Sequence, residues 1–219
     1  GNLLAYYRND GVTTWQDRRG WSALIFDGNN DTVDIPHSSD YKPTTAITVA
    51  SWYKPTDHSN WGKIINVPYR SNAWYNPWFS YALSSSQSTT GKPAFGGGFD
   101  TDSGLAYAEA ASNTVLNLNE WYHLVGTFDG TNIKLYINGV LDTTTARTGT
   151  ISYPSDLNTQ IGGRGQYVPG EYTEGHIASV SVYNTAKSAP EILALYNAGI
   201  NSSEASNSNL VGYWKLDNS

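Results

Sequence analysis

Six aromatic residues crowd one short stretch of this sequence, namely Trp61, Tyr69, Trp74, Tyr75, Trp78 and Phe79. Exposed aromatic faces stack on the apolar faces of sugar rings, while neighbouring Arg and Asn side chains hydrogen-bond to sugar hydroxyls. The stretch therefore predicts a long loop that carries a ligand site, with Trp61, Tyr69, Arg70, Trp74, Tyr75 and Trp78 as ligand-binding residues. The alternative is that these rings pack beneath the loop, as most large aromatic side chains do.

A second loop, residues 162–172, contains several glycines together with Arg, Gln and Tyr side chains. Such a loop suits polar recognition of a ligand on the same rim of the fold as the aromatic stretch. Arg164 and Tyr167 are therefore added to the predicted ligand-binding residues. The alternative is a solvated connection between two strands.

The acidic residues are not arranged for glycoside hydrolysis. Retaining hydrolases hold two carboxyl groups about 5–5.5 Å apart, whereas Glu109 stands alone and Glu171 and Glu174 lie in a loop. The four histidines are scattered without metal-ligand spacing. The absence of cysteine excludes a thiol nucleophile and a disulfide framework. We therefore expect no enzymatic activity and no catalytic residues.

A short turn at residues 27–31 offers oxygen ligands for a cation. Ca²⁺ takes six to eight oxygens, and Asp27 and Asp31 are the predicted ligands of a structural calcium ion. The same residues are good turn formers, so an ordinary turn without a metal is the alternative.

Composition excludes several classes of partner. The 219 residues carry a formal net charge of -6, and the pI is near 5.0. Nucleic acids and anionic membranes attract basic surfaces, and no apolar run approaches the ~20 residues of a membrane span. We expect no nucleic-acid partner and no membrane insertion. Because the chain begins with Gly1 and contains no Met, we expect it to be a piece of a longer protein.

Apolar and polar residues alternate over most of the chain, which is typical of β-strands. Strands are predicted at residues 22–26, 32–36, 46–53, 63–67, 79–83, 121–128, 132–137, 160–163 and 176–183. Asp129-Gly130 and Asn138-Gly139 lie between alternating runs and favour type I′ hairpin turns. The glycine triplet at residues 96–98 indicates a twist, a bulge or a close backbone approach.

One helix is predicted near the C-terminus. Ser188 and Glu191 form a capping box, Pro190 lies in the first turn, and Gly199 suits the position after the last turn. The stretch that follows, residues 201–209, is rich in Ser and Asn and is predicted to be a linker.

The end of the sequence resembles its beginning. Residues 209–217 (NLVGYWKLD) match residues 2–10 (NLLAYYRND) at four identical positions. We interpret residues 1–200 as one domain, and residues 201–219 as a linker and the first strand of a following repeat. Neighbouring repeats of the same chain are then expected partners. The alternative is two strands of one domain that share a β pattern.

Several motifs, all in the same order, resemble the laminin-G-like branch of the concanavalin A-like lectin/glucanase superfamily. The longest is WYHLVGTFDGTNIKLYINGVL at residues 121–141, and ITVASWYKP at residues 47–55 is another. Further matches lie at residues 4–10, 24–36, 157–163 and 175–196. The resemblance implies an all-β fold, a two-sheet antiparallel jelly-roll sandwich (concanavalin A-like), with one short C-terminal helix.

The resemblance also implies a module that binds carbohydrate or protein. Glucanases of this superfamily carry a Glu-x-Asp-x-x-Glu pattern that the present sequence lacks. Relatives often use an acidic residue to hold a structural calcium where this chain has Ala178-Ser179, so the resemblance argues against that calcium site.

The leading hypothesis is a non-catalytic carbohydrate-binding or adhesion module of a larger repetitive extracellular or virion-surface protein. Its expected partner is a glycan or a cell-surface or protein ligand, and its expected location is extracellular, on a cell surface or on a virion surface. The rival is a structural spacer or protein–protein interaction module without glycan binding. A third hypothesis is an unrecognised polysaccharide hydrolase. Apart from the structural calcium ion predicted at Asp27 and Asp31, we expect no cofactor.

Overall fold

The computed structural model describes residues 6–7, 13–16, 22–58, 61–70, 76–164, 170–200 and 208–217. The strands are β1 (Tyr6–Tyr7), β2 (Thr13–Gln16), β3 (Ser22–Asp27), β4 (Val33–Ile35), β5 (Ile47–Pro55), β6 (Lys63–Pro68), β7 (Phe79–Ser84), β8 (Ala94–Thr101), β9 (Gly104–Ala111), β10 (Tyr122–Phe128), β11 (Asn132–Ile137), β12 (Val140–Ala146), β13 (Thr150–Ile151), β14 (Thr159–Ile161), β15 (Glu174–Tyr183) and β16 (Leu210–Trp214). A 3-10 turn spans Ser39–Tyr41, and the α-helix α1 spans Ala189–Ala198.

The strands form two antiparallel sheets. Sheet A has the order β1-β4-β14-β6-β7-β8-β13, and β9 pairs with β8. Sheet B has the order β12-β11-β10-β5-β15-β3-β2, and β16 pairs with β15. The predicted all-β antiparallel sandwich with one short helix is confirmed.

The main core lies between the two sheets. Side chains of sheet A such as Leu83 and Phe95 meet side chains of sheet B such as Leu124 and Phe128 in one buried cluster. The Phe99 and Phe128 rings lie 4.7 Å apart between centroids. Alternation along each strand supplies this apolar layer, because every second side chain faces the opposite sheet.

The two predicted hairpin turns differ. Asn138 and Gly139 both have positive φ, at 53° and 80°, which confirms the type I′ turn between β11 and β12. The type I′ prediction at Asp129-Gly130 is wrong, because only Gly130 of that pair has positive φ. There the Asp129 carboxylate accepts the backbone N–H groups of Thr131 and Asn132 and closes a three-residue connection instead.

The helix α1 covers the outer face of sheet B. Its start is the predicted capping box, in which the backbone N–H of Ser188 donates to Glu191 Oε2 at 2.8 Å. Ile192 packs with Ala50, Val125 and Tyr136, which come from β5, β10 and β11. In the described part of the chain no helix has the length and apolarity that a membrane crossing requires.

Small residues line the outer face of sheet A where β7, β8 and β9 lie side by side. The register pairs Ala82 with Gly96 and Gly96 with Glu109, so these residues share that face. A Cβ atom on Gly97 would lie 2.0 Å from the carbonyl oxygen of Ser80. The glycine triplet therefore marks a close backbone approach, and the β8–β9 pairing runs without a register shift.

The C-terminal strand β16 is part of this sandwich. It pairs with β15, and its Trp214 is buried in the main core together with Leu216. Residues 201–207 of the predicted linker lie outside the described residues. That a further repeat begins near Asn209 stays a prediction.

Two edge strands meet on one side of the sandwich. They are β9 of sheet A and β12 of sheet B, which lie next to each other. Just after β9, the hydroxyl of Thr114 donates to Asp142 Oδ1 of β12 at 2.9 Å. The two sheets are thus closed against each other along this side.

Candidate ligand-binding cleft

A cleft of about 560 Å³ opens on the outer face of sheet A, within the usual size range of small-ligand sites. Strands β6, β7 and β9 provide its floor, and the segments that precede β6 and β7 provide its rim. Arg164 and Glu171, which lie between β14 and β15 in the sequence, line one side. Its lining residues are Trp61, Lys63, Asn76, Trp78, Phe79, Ser84, Gln87, Tyr107, Glu109, Arg164 and Glu171.

Two tryptophans on the rim are open to solvent. Trp61 is 44% exposed and Trp78 is 36% exposed, although large aromatic side chains are mostly buried. Trp61 has a positive φ of 57°, and its backbone N–H donates to the Ser88 carbonyl at 3.2 Å, which fixes its place before β6. The Trp78 ring meets the Tyr107 ring edge to face at 5.0 Å. The backbone of Trp61 and the ring of Trp78 are therefore held in place, and both indoles present apolar surface.

A buried ion cluster lies behind this rim. The Arg164 guanidinium, 1% exposed, donates to Glu171 Oε1 at 2.7 Å. Lys63 Nζ lies 3.8 Å from Glu171 Oε2 and donates to the Trp61 carbonyl at 2.5 Å. Both cations also lie over the Phe79 ring, at 4.6 Å for Arg164 and 5.1 Å for Lys63. One carboxylate thus holds two cations and ties the β14–β15 connection to the start of β6.

Burial opposes the charged forms of both cations. It lowers the pKa of Lys63 to about 8, while the nearby Glu171 carboxylate acts in the opposite direction. Burial likewise lowers the pKa of the Arg164 guanidinium, and Glu171 again opposes the shift. Lys63 is therefore the cationic group of the cleft that titrates near neutral pH.

The second carboxylate of the cleft is held by neutral donors. Glu109 Oε2 accepts from Gln87 Nε2 at 2.9 Å and from the Tyr107 hydroxyl at 2.5 Å. Tyr107 and Glu109 point to the same side of β9 because they lie two residues apart. Burial and the neighbouring Glu109 carboxylate raise the pKa of Tyr107, so its phenol stays protonated as a donor.

The charges of the cleft balance. Its charged lining residues are two cations, Lys63 and Arg164, and two anions, Glu109 and Glu171. With all four groups ionised, their charges sum to zero. The cleft therefore combines apolar rings with polar groups of both signs and has no excess charge for an ionic ligand.

The structure brings together three of the predicted ligand-binding residues. Trp61, Trp78 and Arg164 line one cleft, and the two tryptophans are exposed as the site hypothesis requires. Arg164 is instead buried beneath the rim. There its guanidinium donates to Glu171.

Two other predicted residues lie apart from the cleft lining. Tyr69 is 7% exposed, and its hydroxyl lies 3.5 Å from Ser152 Oγ. Arg70 is exposed and places its guanidinium 5.1 Å from the centre of the Tyr69 ring. Predicted residues Trp74, Tyr75 and Tyr167 lie outside the described residues. Ligand binding by all of these residues stays a prediction.

Sequence reasoning missed seven polar residues of the cleft, which are Lys63, Asn76, Ser84, Gln87, Tyr107, Glu109 and Glu171. In the sequence Glu109 stands alone and Glu171 lies in a predicted loop, yet both line the same cleft. A usable signal existed in β9, where Tyr107 and Glu109 alternate with alanines. A second signal was Lys63, a charged residue that opens an otherwise apolar strand.

The carboxylates at residues 27–31 face their own turn. Asp27 Oδ1 accepts the backbone N–H of Asn29 at 2.9 Å, and Asp31 Oδ2 accepts the backbone N–H of Asp27 at 3.0 Å. Within the described ranges, no group of three or more His, Asp or Glu side chains is placed to hold a metal ion. The structural calcium at Asp27 and Asp31 stays a prediction.

The resemblance seen in the sequence extends to solved structures. Domain 4 of AbnA, a GH43 extracellular arabinanase from Geobacillus stearothermophilus solved in complex with arabinotriose, gives a TM-score of 0.65 at 16% identity, covering 86% of this chain and 82% of that one. A putative carbohydrate binding protein from Bacteroides ovatus gives 0.62 at 15% identity, covering 98% of this chain and 51% of that one.

A virion protein shares the same fold. The full-length tailspike protein 2 of the Escherichia coli O157:H7 bacteriophage CAB120 gives a TM-score of 0.65 at 13% identity, covering 98% of this chain and 30% of that one. A search of curated protein sequences finds no significant match. A family model described as the Concanavalin A-like lectin/glucanases superfamily matches residues 27–193. Because this match spans more than half of the chain, the protein is a member of that superfamily.

Proposed function

We propose that the protein is a non-catalytic carbohydrate-binding module that holds a sugar chain in the cleft on the outer face of sheet A. The observation that carries the proposal is the pair of exposed indoles, Trp61 and Trp78, on the rim of a cleft with polar groups behind them. Sugar rings present an apolar face to aromatic side chains and an equatorial belt of hydroxyls to polar ones.

The ligand we propose is an uncharged glycan. Each cation in the cleft already has a carboxylate partner, since Arg164 and Lys63 both contact Glu171. A uronate or sialate carboxylate would have to compete with Glu171 for these cations inside a partly desolvated site. The complex of the arabinanase domain with arabinotriose supports the same class of ligand.

The two carboxylates of the cleft favour binding over hydrolysis. Glycoside hydrolysis needs one carboxyl group that donates a proton and a second that acts as nucleophile or base. Glu171 Oε1 accepts from the Arg164 guanidinium. Glu109 accepts from two donors, the Tyr107 hydroxyl and the Gln87 amide. Both groups therefore act as acceptors in this arrangement.

The wider context is part of the proposal. We place the module in a larger repetitive extracellular or virion-surface protein, where it serves adhesion or targeting. The match between residues 2–10 and 209–217 supports the repeat, and the fold shared with a tailspike protein supports the location. Several weak modules in one chain would raise avidity without any new contact.

Affinity electrophoresis against a panel of neutral and acidic polysaccharides tests the proposal. At least one neutral polysaccharide should retard the protein, and Trp61→Ala and Trp78→Ala should each weaken binding roughly tenfold, the equivalent of about 1.4 kcal/mol. Val140→Ala, which trims a side chain 67% exposed on β12, is the matched control and should bind like the parent.

Three outcomes would contradict the proposal. If no polysaccharide retards the protein, or if both tryptophan variants bind like the parent, the cleft is not a glycan site. Stronger retardation by acidic polysaccharides would refute the uncharged ligand. Release of reducing sugars on prolonged incubation would refute the non-catalytic assignment.

A further inference from the structure

The polar groups of the cleft fall into two halves that differ in what they leave open to a ligand. In the first half the donors are Lys63 and Arg164, whose side chains are only 3% and 1% exposed. Lys63 donates to the Trp61 carbonyl. Arg164 donates to Glu171 Oε1 and, at 3.4 Å, to the Trp78 carbonyl. Both cations are therefore engaged by the protein itself and lie behind the rim.

The second half of the cleft provides acceptors. Glu109 accepts on Oε2 from the Gln87 side-chain amide at 2.9 Å and from the Tyr107 hydroxyl at 2.5 Å. Because a carboxylate can only accept, the Gln87 amide turns its NH2 group towards Glu109 and presents its carbonyl oxygen, Oε1, elsewhere. The second oxygen of Glu109 is likewise an Oε1 atom. We call Glu109 Oε1 and Gln87 Oε1 the acceptor pair.

Both oxygens of the acceptor pair are open to the cleft. Over the described residues, the hydrogen bonds of the Glu109 and Gln87 side chains are the two that end on Glu109 Oε2. Buried side-chain oxygens without a partner do occur in this protein, and Glu171 Oε2 is one, but neither oxygen of the acceptor pair is among them. Glu109 and Gln87 are half-buried side chains of the cleft lining. Their Oε1 atoms can therefore take a donor from a ligand.

The fold holds the acceptor pair in place before any ligand binds. The backbone N–H of Gln87 donates to the Lys92 carbonyl at 2.9 Å, and the Gln87 carbonyl accepts from the Thr90 hydroxyl at 2.6 Å. Glu109 lies on β9 opposite Gly96 of β8. A Cβ atom on Gly96 would lie 2.5 Å from Glu109 Cβ, so the two strands pack closely at this point. Acceptors that are already ordered cost a ligand less entropy on binding.

Tyr107 links the acceptor pair to the aromatic rim. Its hydroxyl donates to Glu109 Oε2, and its ring meets the exposed Trp78 ring edge to face at 5.0 Å. One tyrosine side chain therefore separates the Trp78 indole from the acceptor pair. This arrangement suits one sugar unit that stacks on Trp78 through its apolar face and turns its hydroxyl groups towards the acceptor pair.

Acceptors select a ligand by the donors that it brings. Each free hydroxyl group of a sugar has one O–H donor, whereas ring oxygens, glycosidic oxygens and ester carbonyls only accept. A carboxylate that faces such an oxygen loses water without gaining a partner, which opposes binding. Two hydroxyls on neighbouring ring carbons, a vicinal diol, provide two adjacent donors, which suits acceptors on two hydrogen-bonded side chains.

We propose that Glu109 Oε1 and Gln87 Oε1 determine specificity by accepting from the two hydroxyls of a vicinal diol on a sugar unit stacked on Trp78. The ligand class is then a neutral glycan with unsubstituted vicinal diols, and units whose hydroxyls are acylated, alkylated or missing are rejected. This inference rests on the proposed glycan binding and adds the substitution pattern that the cleft selects.

Affinity electrophoresis of the full chain with matched polysaccharides tests the selection. The probes are xylan, mannan, galactan and dextran, each unmodified, partly O-acetylated, and acetylated and then deacetylated with base. Acetyl esters remove hydroxyl donors without adding charge. The unmodified polymer that retards the parent most should bind roughly tenfold more weakly after acetylation and regain its affinity after deacetylation. Equal retardation by the acetylated polymer would overturn the proposal and leave the proposed glycan binding intact.

Glu109→Gln changes the oxygen that faces the ligand. The carbonyl oxygen of the new amide can still accept from Tyr107 and Gln87, while its NH2 group takes the place of Oε1. Binding of the unmodified polymer should weaken roughly tenfold, and the preference over the acetylated polymer should shrink. Gln87→Met removes the other acceptor of the pair and should shrink the same preference.

Glu120→Gln is the matched control. Glu120 Oε2 also accepts from an amide and a tyrosine hydroxyl, those of Asn117 and Tyr122, but Glu120 is not part of the cleft lining. This variant should bind both forms of the polymer like the parent. If Trp78→Ala weakens binding while Glu109→Gln behaves like Glu120→Gln, the acceptor pair does not determine specificity and this inference alone fails. If none of the unmodified polymers retards the parent, the proposed glycan binding fails and this inference falls with it.

Discussion

Substitution of the buried lysine of the cleft should change how stability depends on pH. Burial lowers the pKa of Lys63 to about 8 from 10.5. Between these values the unfolded chain holds a proton that the folded chain has released, so the free energy of unfolding rises with pH. The stability lost to the buried charge is about 3 kcal/mol at pH 7 and about 1 kcal/mol at pH 10.

Lys63→Met keeps the apolar stem and removes the titrating group. The free energy of unfolding of this variant minus that of the parent should therefore fall by about 2 kcal/mol between pH 7 and pH 10. Urea unfolding followed by tryptophan fluorescence at each pH gives the two free energies, and unchanged m-values would show that the unfolded states are comparable. Other titrating groups cancel in the difference between the two chains.

Lys134→Met is the matched control, since Lys134 lies on the surface of β11 and pairs with Asp129 at 3.2 Å. Because this variant keeps Lys63, its difference from the parent should not show the fall of about 2 kcal/mol that Lys63→Met gives. The reasoning is refuted if the Lys63→Met difference is also flat to within about 0.5 kcal/mol, because Lys63 would then titrate alike in the folded and unfolded chains.

Three further perturbations have defined outcomes. Burial lowers the pKa of His123 to about 4, so the free energy of unfolding of the parent should fall as pH falls from 6.5 to 4. His123→Gln should reduce this loss of stability at acid pH, as measured by urea unfolding. An equal loss in the variant and the parent would contradict this expectation. Gly97→Ala should cost about 3 kcal/mol because the new Cβ meets the Ser80 carbonyl at 2.0 Å, and an unchanged Tm would disprove the close approach. Glu191→Ala should cost about 1 kcal/mol by removing the capping box, read from the urea midpoint; a loss near zero would mean that packing alone holds α1.

The fold was predictable because its signals are local. Short apolar runs bounded by turn residues identified β10 and β11, and Asn138-Gly139 identified the turn that follows, because each depends on a few consecutive residues. The same reasoning failed at Asp129, whose carboxylate closes a longer connection by accepting backbone N–H groups. Whether a side chain closes a turn in this way depends on three-dimensional geometry, which the two residues Asp129-Gly130 alone do not determine.

The cleft was only half predictable. Its tryptophans stand out in the sequence because an aromatic cluster is unusual in a loop. The sequence does not show that Lys63, Glu109 and Glu171 meet, because they come from β6, β9 and the connection after β14. Their proximity depends on the register across the glycine-bearing β8 and on long-range pairing, which a single sequence does not reveal. Exposure of Trp61 and burial of Tyr69 likewise depend on neighbours distant in sequence.

The contact between the edge strands β9 and β12 bears on how densely such modules can be placed. An open strand edge is a template for pairing with another chain, and it promotes aggregation when many copies are crowded together. Here the two edges on one side lie against each other, and each carries an acidic side chain, Glu109 on β9 and Asp142 on β12. A surface coated with many copies should therefore remain free of sheet-to-sheet fusion along this side, leaving each cleft accessible.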